Sequence, residues 1–327
     1  MKLNIVLILM LCLALVSCAG PKAAESKEVS NTPKTSKKLI VGYAQIGAES
    51  EWRLANTRSI QEAAKAENIE LLFTDCMQKQ ENQIVAIKSF IAQKVDYIAF
   101  SPVIESGWND VLTAAQKANI PVIIVDRKAN VDENLYKTFI GSDFYEEGRK
   151  AAIEMAELLN KKGNICEIQG TLGSDAATKR KMGFEDELKK NYPNMKIVRS
   201  EVGDFYREKG NEIMKSFLKA EAKNIDGLFA HNDEMALGAI EEIEAYGIKP
   251  GVDIKVISVD AVSKEILETI KTGKINASAE CNPYLGPLLF ETIRKIERGE
   301  KVQKNIYSDE SIVTTKNVDE YLRKISY

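Results

Sequence analysis

From Leu39 onward, compact apolar runs of strand length alternate with stretches whose apolar residues recur at helical spacing, and that alternation leaves few folds open. LIVGYAQI is followed by Trp52, Ala55, Ile60, Ala63 and Ala64 at roughly helical spacing. IELLFTD is followed by QENQIVAIKSFIAQ, with Ile84, Ile87, Phe90 and Ile91 on one helix face. VDYIAFS and IPVIIVD are two more buried-looking strands, separated by a helix around Asp110 to Ala118. The pattern then repeats with GNICEIQG, MKIVRSE, IDGLFAH and DIKVISVD, and with helices near Ala176–Lys190, Arg207–Ala220 and Glu234–Tyr246. Gly247 and Pro250 follow the last of these as a C′ glycine and a trailing proline should. Two consecutive sets of βα units predict an α/β fold of two Rossmann-like lobes, each a parallel sheet flanked by helices. INASAE, a helix over Pro283–Arg298 and NIYSDESIV read as late additions to both sheets. A chain that builds one lobe, then the other, then revisits both must cross between them more than once, which predicts a multi-strand hinge.

The first residues constrain location. MKLNIVLILMLCLALVSC carries one Lys, an apolar run from Ile5 to Val16 and then small residues. That run is shorter than the roughly 20 apolar residues of a membrane span and reads as a secretory signal over 1–17. Leu15-Val16-Ser17-Cys18 resembles a bacterial lipobox, in which cleavage precedes a lipid-modified Cys18. Residues 18–37, polar and with Pro21 and Pro33, read as a flexible tether. The formal net charge of −3 gives no basic field for nucleic acid. Cys76, Cys166 and Cys281 are too few and too far apart for a disulfide framework.

In open parallel sheets, ligands bind beyond the carboxyl ends of the strands, so the residues just after each strand are the candidates. The first strand is followed by Glu49, Trp52 and Arg53, the third by Glu105 and Trp108, and the fourth by Asp126 and Arg127. The second set offers Thr171, Phe205, Asn232 and Asp260, and the late strand ends at Glu280. Carboxylates, guanidinium groups and amides can each make two hydrogen bonds to adjacent hydroxyls, and aromatic faces stack on the C–H faces of a sugar. The acidic residues would repel an anion. The mix therefore fits a neutral polyhydroxylated ligand, and such polar groups discriminate strongly against a ligand that leaves them unpaired. Each residue also has a structural alternative: core for Trp52, a surface position for Arg53, a strand-end ion pair for Asp126 and Arg127, a helix N-cap for Asn232, and solvated carboxylates for Asp260 and Glu280.

The stretches VGYAQIGAESEWRLANTRSI, VIIVDR, FIGSDFYEEGR, AHNDEMALGAI, VISVDAV and ECNPYLGP make the chain, from about residue 39 to 325, similar to the ribose/galactose family of periplasmic sugar-binding proteins that serve ABC importers. GAESEWR and ECNPYLGP resemble its galactofuranose-binding branch. The resemblance implies the type I binding-protein fold, with three hinge strands, a first lobe of 38–142 plus 281–307 and a second of 143–280 plus 308–327. It implies that a monosaccharide, galactofuranose or galactose, sits in the interlobe cleft. Glu49, Trp52, Arg53, Asp126 and Arg127 would come from the first lobe, and Thr171, Arg180, Phe205, Asn232, Asp260 and Glu280 from the second and the hinge. In TKRKMGF this chain has Thr178 where relatives carry an Arg, two positions before Arg180. The implied protein is an extracytoplasmic, lipid-anchored monomer with a separate permease and ATPase as partners, no cofactor and no nucleic acid.

Other readings keep the same pocket or lack motifs. Ribose or arabinose would suit the residue chemistry, as would a sensor that reports sugar to another protein. For an enzyme the chain lacks a G-x-S-x-G elbow, a G-x-G-x-x-G turn, a P-loop and a C-x-x-C pair, and His231 is its one histidine; strand-end carboxylates leave only glycoside hydrolysis to consider. A sugar-responsive repressor would need a helix-turn-helix where the signal and tether stand. No acidic loop has calcium spacing, and Cys and His are too sparse for zinc.

Overall fold

The computed structural model describes residues 38–324. The expected signal, Cys18 and tether, and the end of the second lobe at 325–327, lie outside the described residues. The first half runs β1 (Ile40–Gln45), α1 (Glu51–Ala66), β2 (Glu70–Asp75), α2 (Gln80–Ala92), β3 (Tyr97–Phe100), α3 (Asn109–Lys117), β4 (Val122–Asp126) and β5 (Thr138–Gly141). The second runs α4 (Phe144–Leu158), β6 (Gly163–Gln169), α5 (Asp175–Asn191), β7 (Met195–Val202), α6 (Arg207–Glu221), β8 (Gly227–Ala230), α7 (Asp233–Ala245), β9 (Lys255–Asp260), α8 (Lys264–Lys271) and β10 (Ala277–Glu280). The chain ends with α9 (Gly286–Glu297), β11 (Asn305–Tyr307), β12 (Ile312–Thr314) and α10 (Val318–Lys324).

Two six-stranded sheets result, ordered β11-β5-β4-β3-β1-β2 and β12-β10-β9-β8-β6-β7. The first is parallel throughout; in the second only β12 runs antiparallel, against β10. In each sheet the earliest strand is flanked by the next two, so the strand order reverses at β1/β3 and at β6/β8. Those reversals open the crevices where this architecture binds ligands.

Why these segments pack this way is visible in their burial. Strands β3, β4, β5 and β8 are buried along their whole length, as strands covered on both faces must be. Helix α9 returns to the first lobe, where Leu285, Leu289, Phe290 and Ile293 pack with Val41, Tyr43 and Ile60. Helices α4 and α5 touch backbone to backbone. A Cβ on Gly148 would lie 2.1 Å from the Arg180 carbonyl oxygen, and one on Gly183 would lie 2.0 Å from that of Tyr145. Only glycine permits this approach, and it sets Arg180 beside α4.

The chain crosses between the sheets three times: between β5 and α4, between β10 and α9, and between β11 and β12. NIYSDESIV, read as one segment from sequence, is split by the last crossing into one strand for each sheet. Strand β5 and helices α4, α8 and α10 were not anticipated; for β5 and α4, the crossing between them interrupts the alternation of strand and helix within one sheet.

Candidate functional site

The strand ends converge between the sheets on one cavity. It is lined by Glu49, Ser50, Trp52, Arg53, Asp126 and Arg127 from the first lobe, and by Phe144, Ala176, Arg180, Phe205, Asn232, Asp260 and Cys281 from the second lobe and hinge. Its volume is about 20 Å³, room for about one water. In this arrangement most of the polar groups that line it bond to one another.

On the first lobe the guanidinium of Arg53 organises the site. Ser50 caps α1 by accepting from the Arg53 backbone N–H, which fixes Arg53 in the first helical turn, only 2 % exposed. Its Nη1 lies 2.8 Å from Asp126 Oδ2 and its Nε donates to Glu49 Oε1 at 3.0 Å. Although burial opposes charge there, Asp126 and Glu49 hold the guanidinium above its ordinary pKa. Ser101 Oγ donates to the same Asp126 oxygen (2.7 Å). Arg127 lies further off, 3.7 Å from Glu49 Oε1 and 3.9 Å from Asp126 Oδ2. Burial, and then the neighbouring Arg53, lower its pKa, without bringing a guanidinium within reach of neutrality. Glu49 Oε2 is buried and accepts no hydrogen bond, so one acceptor in this network is left unused.

The second lobe holds its groups differently. Arg180 donates from Nε to Glu147 Oε2 (2.7 Å) and from Nη1 to the His231 carbonyl (2.6 Å), and its Nη2 lies 3.5 Å from Asp260 Oδ1. Asn232 caps α7, its Oδ1 accepting from the Met235 N–H while its Nδ2 donates to the Phe205 carbonyl. The cap reading and the cavity position are thus both true of it. Burial pushes the Asp260 carboxyl well up, with Arg180 opposing and Asp233 adding; a neutral carboxyl can donate as well as accept. Asp233 accepts from Ser258 and Ser278 hydroxyls and from the Ala261 N–H, which ties the start of α7 to β9 and β10.

Three cavity residues have left-handed backbones without being glycine: Asp126 (φ 68°), Phe205 (φ 69°) and Asp260 (φ 121°). Such conformations cost on the order of 1–3 kcal/mol each and gather where structure is committed to a site. Phe205 lies over Gly170, where a Cβ would sit 1.9 Å from its ring, and the Arg127 guanidinium stands 5.0 Å from the ring centre. Other contacts also join the lobes. The Trp52 indole N–H donates to the Cys281 carbonyl (2.7 Å), the Glu105 N–H to the Gly173 carbonyl (2.9 Å) and the Lys128 N–H to Asp175 (2.9 Å), and Gln78 meets Tyr206.

Of the residues singled out from sequence, Glu49, Trp52, Arg53, Asp126, Arg127, Arg180, Phe205, Asn232 and Asp260 meet at this cavity. Thr171 and Glu280 do not. Thr171 begins the turn that caps α5, its carbonyl accepting from the Ser174 N–H and hydroxyl, and the neighbouring Gly173 faces Glu105 of the other lobe. Glu280 points out of the cleft, where its Oε2 accepts from Ser311 and from the Tyr321 hydroxyl. The next residue, Cys281, lies just past the end of β10 and lines the cavity instead. Trp108 is core, fully buried against Phe100. All three cysteines of the described residues are free and buried. Phe144, Ala176 and Cys281 were missed, as was Glu147, which grips Arg180; FYEEGR held the signal, but only the glycine contact between α4 and α5 gives it meaning. Glu147, Cys281 and Glu310 are the one group of metal-ligand types found together among the described residues, and Arg180, Ser142 and Asn282 already donate to its carboxylates.

Residues 41–301 match the family described as "Periplasmic binding protein domain". The chain is a periplasmic binding protein. Its family consists of binding proteins, not enzymes. The galactofuranose-binding protein YtfQ of Escherichia coli (strain K12) is 44% identical over 264 residues, 80% of this chain and 82% of that protein. The periplasmic binding protein component of the arabinose ABC transporter from Shewanella sp. ANA-3, bound to α- and β-L-arabinofuranose, is 44% identical with a TM-score of 0.84, covering 87% of this chain and 95% of that one. A Mycobacterium smegmatis protein in complex with β-D-fucofuranose is 46% identical with a TM-score of 0.84, covering 87% and 94%. These three are named for or bound to furanoses, whereas a Bacillus halodurans C-125 solute-binding protein with bound myo-inositol, 28% identical, shares the fold with a TM-score of 0.82, covering 88% of this chain and 98% of that one.

Proposed function

We propose that this protein captures a monosaccharide in its furanose form, galactofuranose or a close relative such as arabinofuranose, and delivers it to an ABC permease. The observation that carries this is the buried set of Arg53, Glu49, Asp126 and Arg127 facing Asn232, Asp260 and Arg180 across one cavity, with Trp52 and Phe205 for the ring faces. Its relatives named for three different sugars have the five-membered ring in common. Opening at the three crossings admits the sugar. Hydroxyls then replace part of the Arg53–Asp126–Glu49 pairing, and a ligand touching both lobes favours the closed form by its differential affinity. Micromolar affinity corresponds to about −8 kcal/mol, a surplus over the cost of ordering and desolvation.

The same reading assigns residues 1–17 as a lipoprotein signal, Cys18 as the lipid-bearing residue and 18–37 as the tether holding a monomeric receptor to the cell membrane, at its outer face or on its periplasmic side. The lobes are then 38–142 with 281–307, and 143–280 with 308–327. Calorimetric titration of the domain from Lys37 onward with galactose, arabinose, ribose and glucose tests the assignment. Galactose or arabinose should bind with the furanose enriched in the bound fraction, and Arg53→Ala should lose at least about tenfold in affinity. Tight binding of glucose alone, or of ribose with the pyranose enriched in the bound fraction, would sink the furanose assignment.

A further inference from the structure

The three crossings between the lobes bring their polar groups to one point. Ser142 Oγ, from the first crossing, donates to Glu310 Oε1 of the third (2.5 Å) and lies 3.4 Å from the sulfur of Cys281 in the second. The Asn282 N–H donates to the same Glu310 oxygen (2.9 Å). Glu147 of α4 closes the group. One oxygen from each carboxylate and the Cys281 sulfur lie within 4.8 Å of one another. Glu147 Oε2 is held by Arg180, whereas its Oε1 is buried and accepts no hydrogen bond.

The charged and titratable groups facing this pair are few. Arg180 of α5 is already shared among Glu147, the His231 carbonyl and Asp260. Lys150 of α4 directs its ammonium to the Glu310 carbonyl (2.6 Å). Asp260, Asp126 and the Cys281 thiol supply no positive charge. Two carboxylates this close, Glu147 buried and Glu310 half-buried, with one shared guanidinium, cannot both stay ionised cheaply.

We propose that Glu147 and Glu310 hold one proton between them in the closed hinge, and that losing it as the medium turns mildly alkaline favours opening and weakens ligand binding. The inference rests on the sugar-binding reading above. Glu310 Oε1 accepts two hydrogen bonds, which leaves Oε2 for the proton. Burial, and then the neighbouring Glu147, push the Glu310 carboxyl from 4.5 to about 8. Burial also raises Glu147, against Arg180. The coupling route is short, because Glu147 holds the arginine that lines the cavity.

The sign follows from linkage. A carboxyl raised in the closed form favours that form fully at pH below its ordinary value. The advantage is lost as the pH rises toward about 8. Calorimetric titration with galactose or arabinose at about pH 6 and about pH 9, each in two buffers of different ionisation enthalpy, reads it directly. The wild type should bind about tenfold more weakly at the higher pH and take up protons on binding at about pH 6, whereas Glu310→Gln should hold its affinity across the range. Sugar binding without proton uptake in the wild type, or the same pH profile in both proteins, overturns the inference and leaves the receptor reading intact. No sugar binding at pH 6 overturns the receptor reading itself and this one with it. The wild-type proton count needs no variant, so poor folding of Glu310→Gln leaves the test in place.

Discussion

The two lobes share one topology but furnish the cavity in opposite ways. First-lobe groups bind mainly to one another. Arg53 joins Glu49 to Asp126, Arg127 stands behind both at 3.7 and 3.9 Å, and Glu49 Oε2 is left without a donor. Second-lobe groups are tied to the backbone as well as to side chains: Arg180 to the His231 carbonyl beside Glu147 and Asp260, Asn232 to the Phe205 carbonyl and the α7 N-terminus. Side-chain pairs can be exchanged for ligand hydroxyls, but backbone partners cannot leave. The first lobe thus holds the exchangeable hydrogen bonds, and the second is the fixed wall against which a ligand is pressed.

The comparison is broken most directly by removing one arginine from each side. Arg180→Ala strands Glu147 and Asp260 in a buried site where no second guanidinium stands by, and should destabilise the fold by about 3–5 kcal/mol, as breaking a buried pair does. Arg53→Ala leaves Glu49 and Asp126 near Arg127, so it should cost at most about half as much stability while reducing sugar affinity by at least about tenfold. Urea unfolding of both variants, paired with the titration, decides it. Equal stability losses would mean that Arg127 does not compensate and that the lobes are alike.

The fixed wall depends on how closely α4 and α5 pack, so the next expected effect comes from Gly148→Ala. Its Cβ would lie 2.1 Å from the Arg180 carbonyl, forcing the helices apart and Glu147 away from the guanidinium. Overpacking of this kind costs about 1–3 kcal/mol, and affinity should fall with stability because Arg180 moves. A variant as stable and as tight-binding as the wild type would show that Arg180 is held from the His231 side alone.

How much of this was legible follows from the same contrast. Residues at or just beyond a strand's carboxyl end are positioned by the strand itself, so Glu49, Asp126, Asn232 and Asp260 could be picked out from βαβ periodicity. Arg180 and Phe144 sit on helices, and nothing in local spacing says which helix face meets the cleft. Glu147 gains its meaning only from two glycines on different helices, a contact between residues 33 positions apart in the Arg180–Glu147 pair. NIYSDESIV reads as one late segment because nothing in its sequence assigns its two apolar ends to different sheets, while the crossing at its polar middle is fixed by Glu310 accepting from Ser142 and Asn282.

The smallest expected effect separates neighbours. Glu280 and Cys281 are adjacent, yet Glu280, at the end of β10, turns away from the cavity and Cys281, in the crossing that follows, lines it. Glu280 is partly exposed and bonded to Ser311 and Tyr321 behind the hinge, so Glu280→Ala removes hydrogen bonds that solvent can largely replace. It should cost no more than about 1 kcal/mol in stability and change sugar affinity less than about twofold. A tenfold loss of affinity at unchanged stability would put that carboxylate back in contact with the ligand. The hinge strand would then have to rotate its side chains by one position when it closes on sugar, and the fixed character of the second lobe would end at β10.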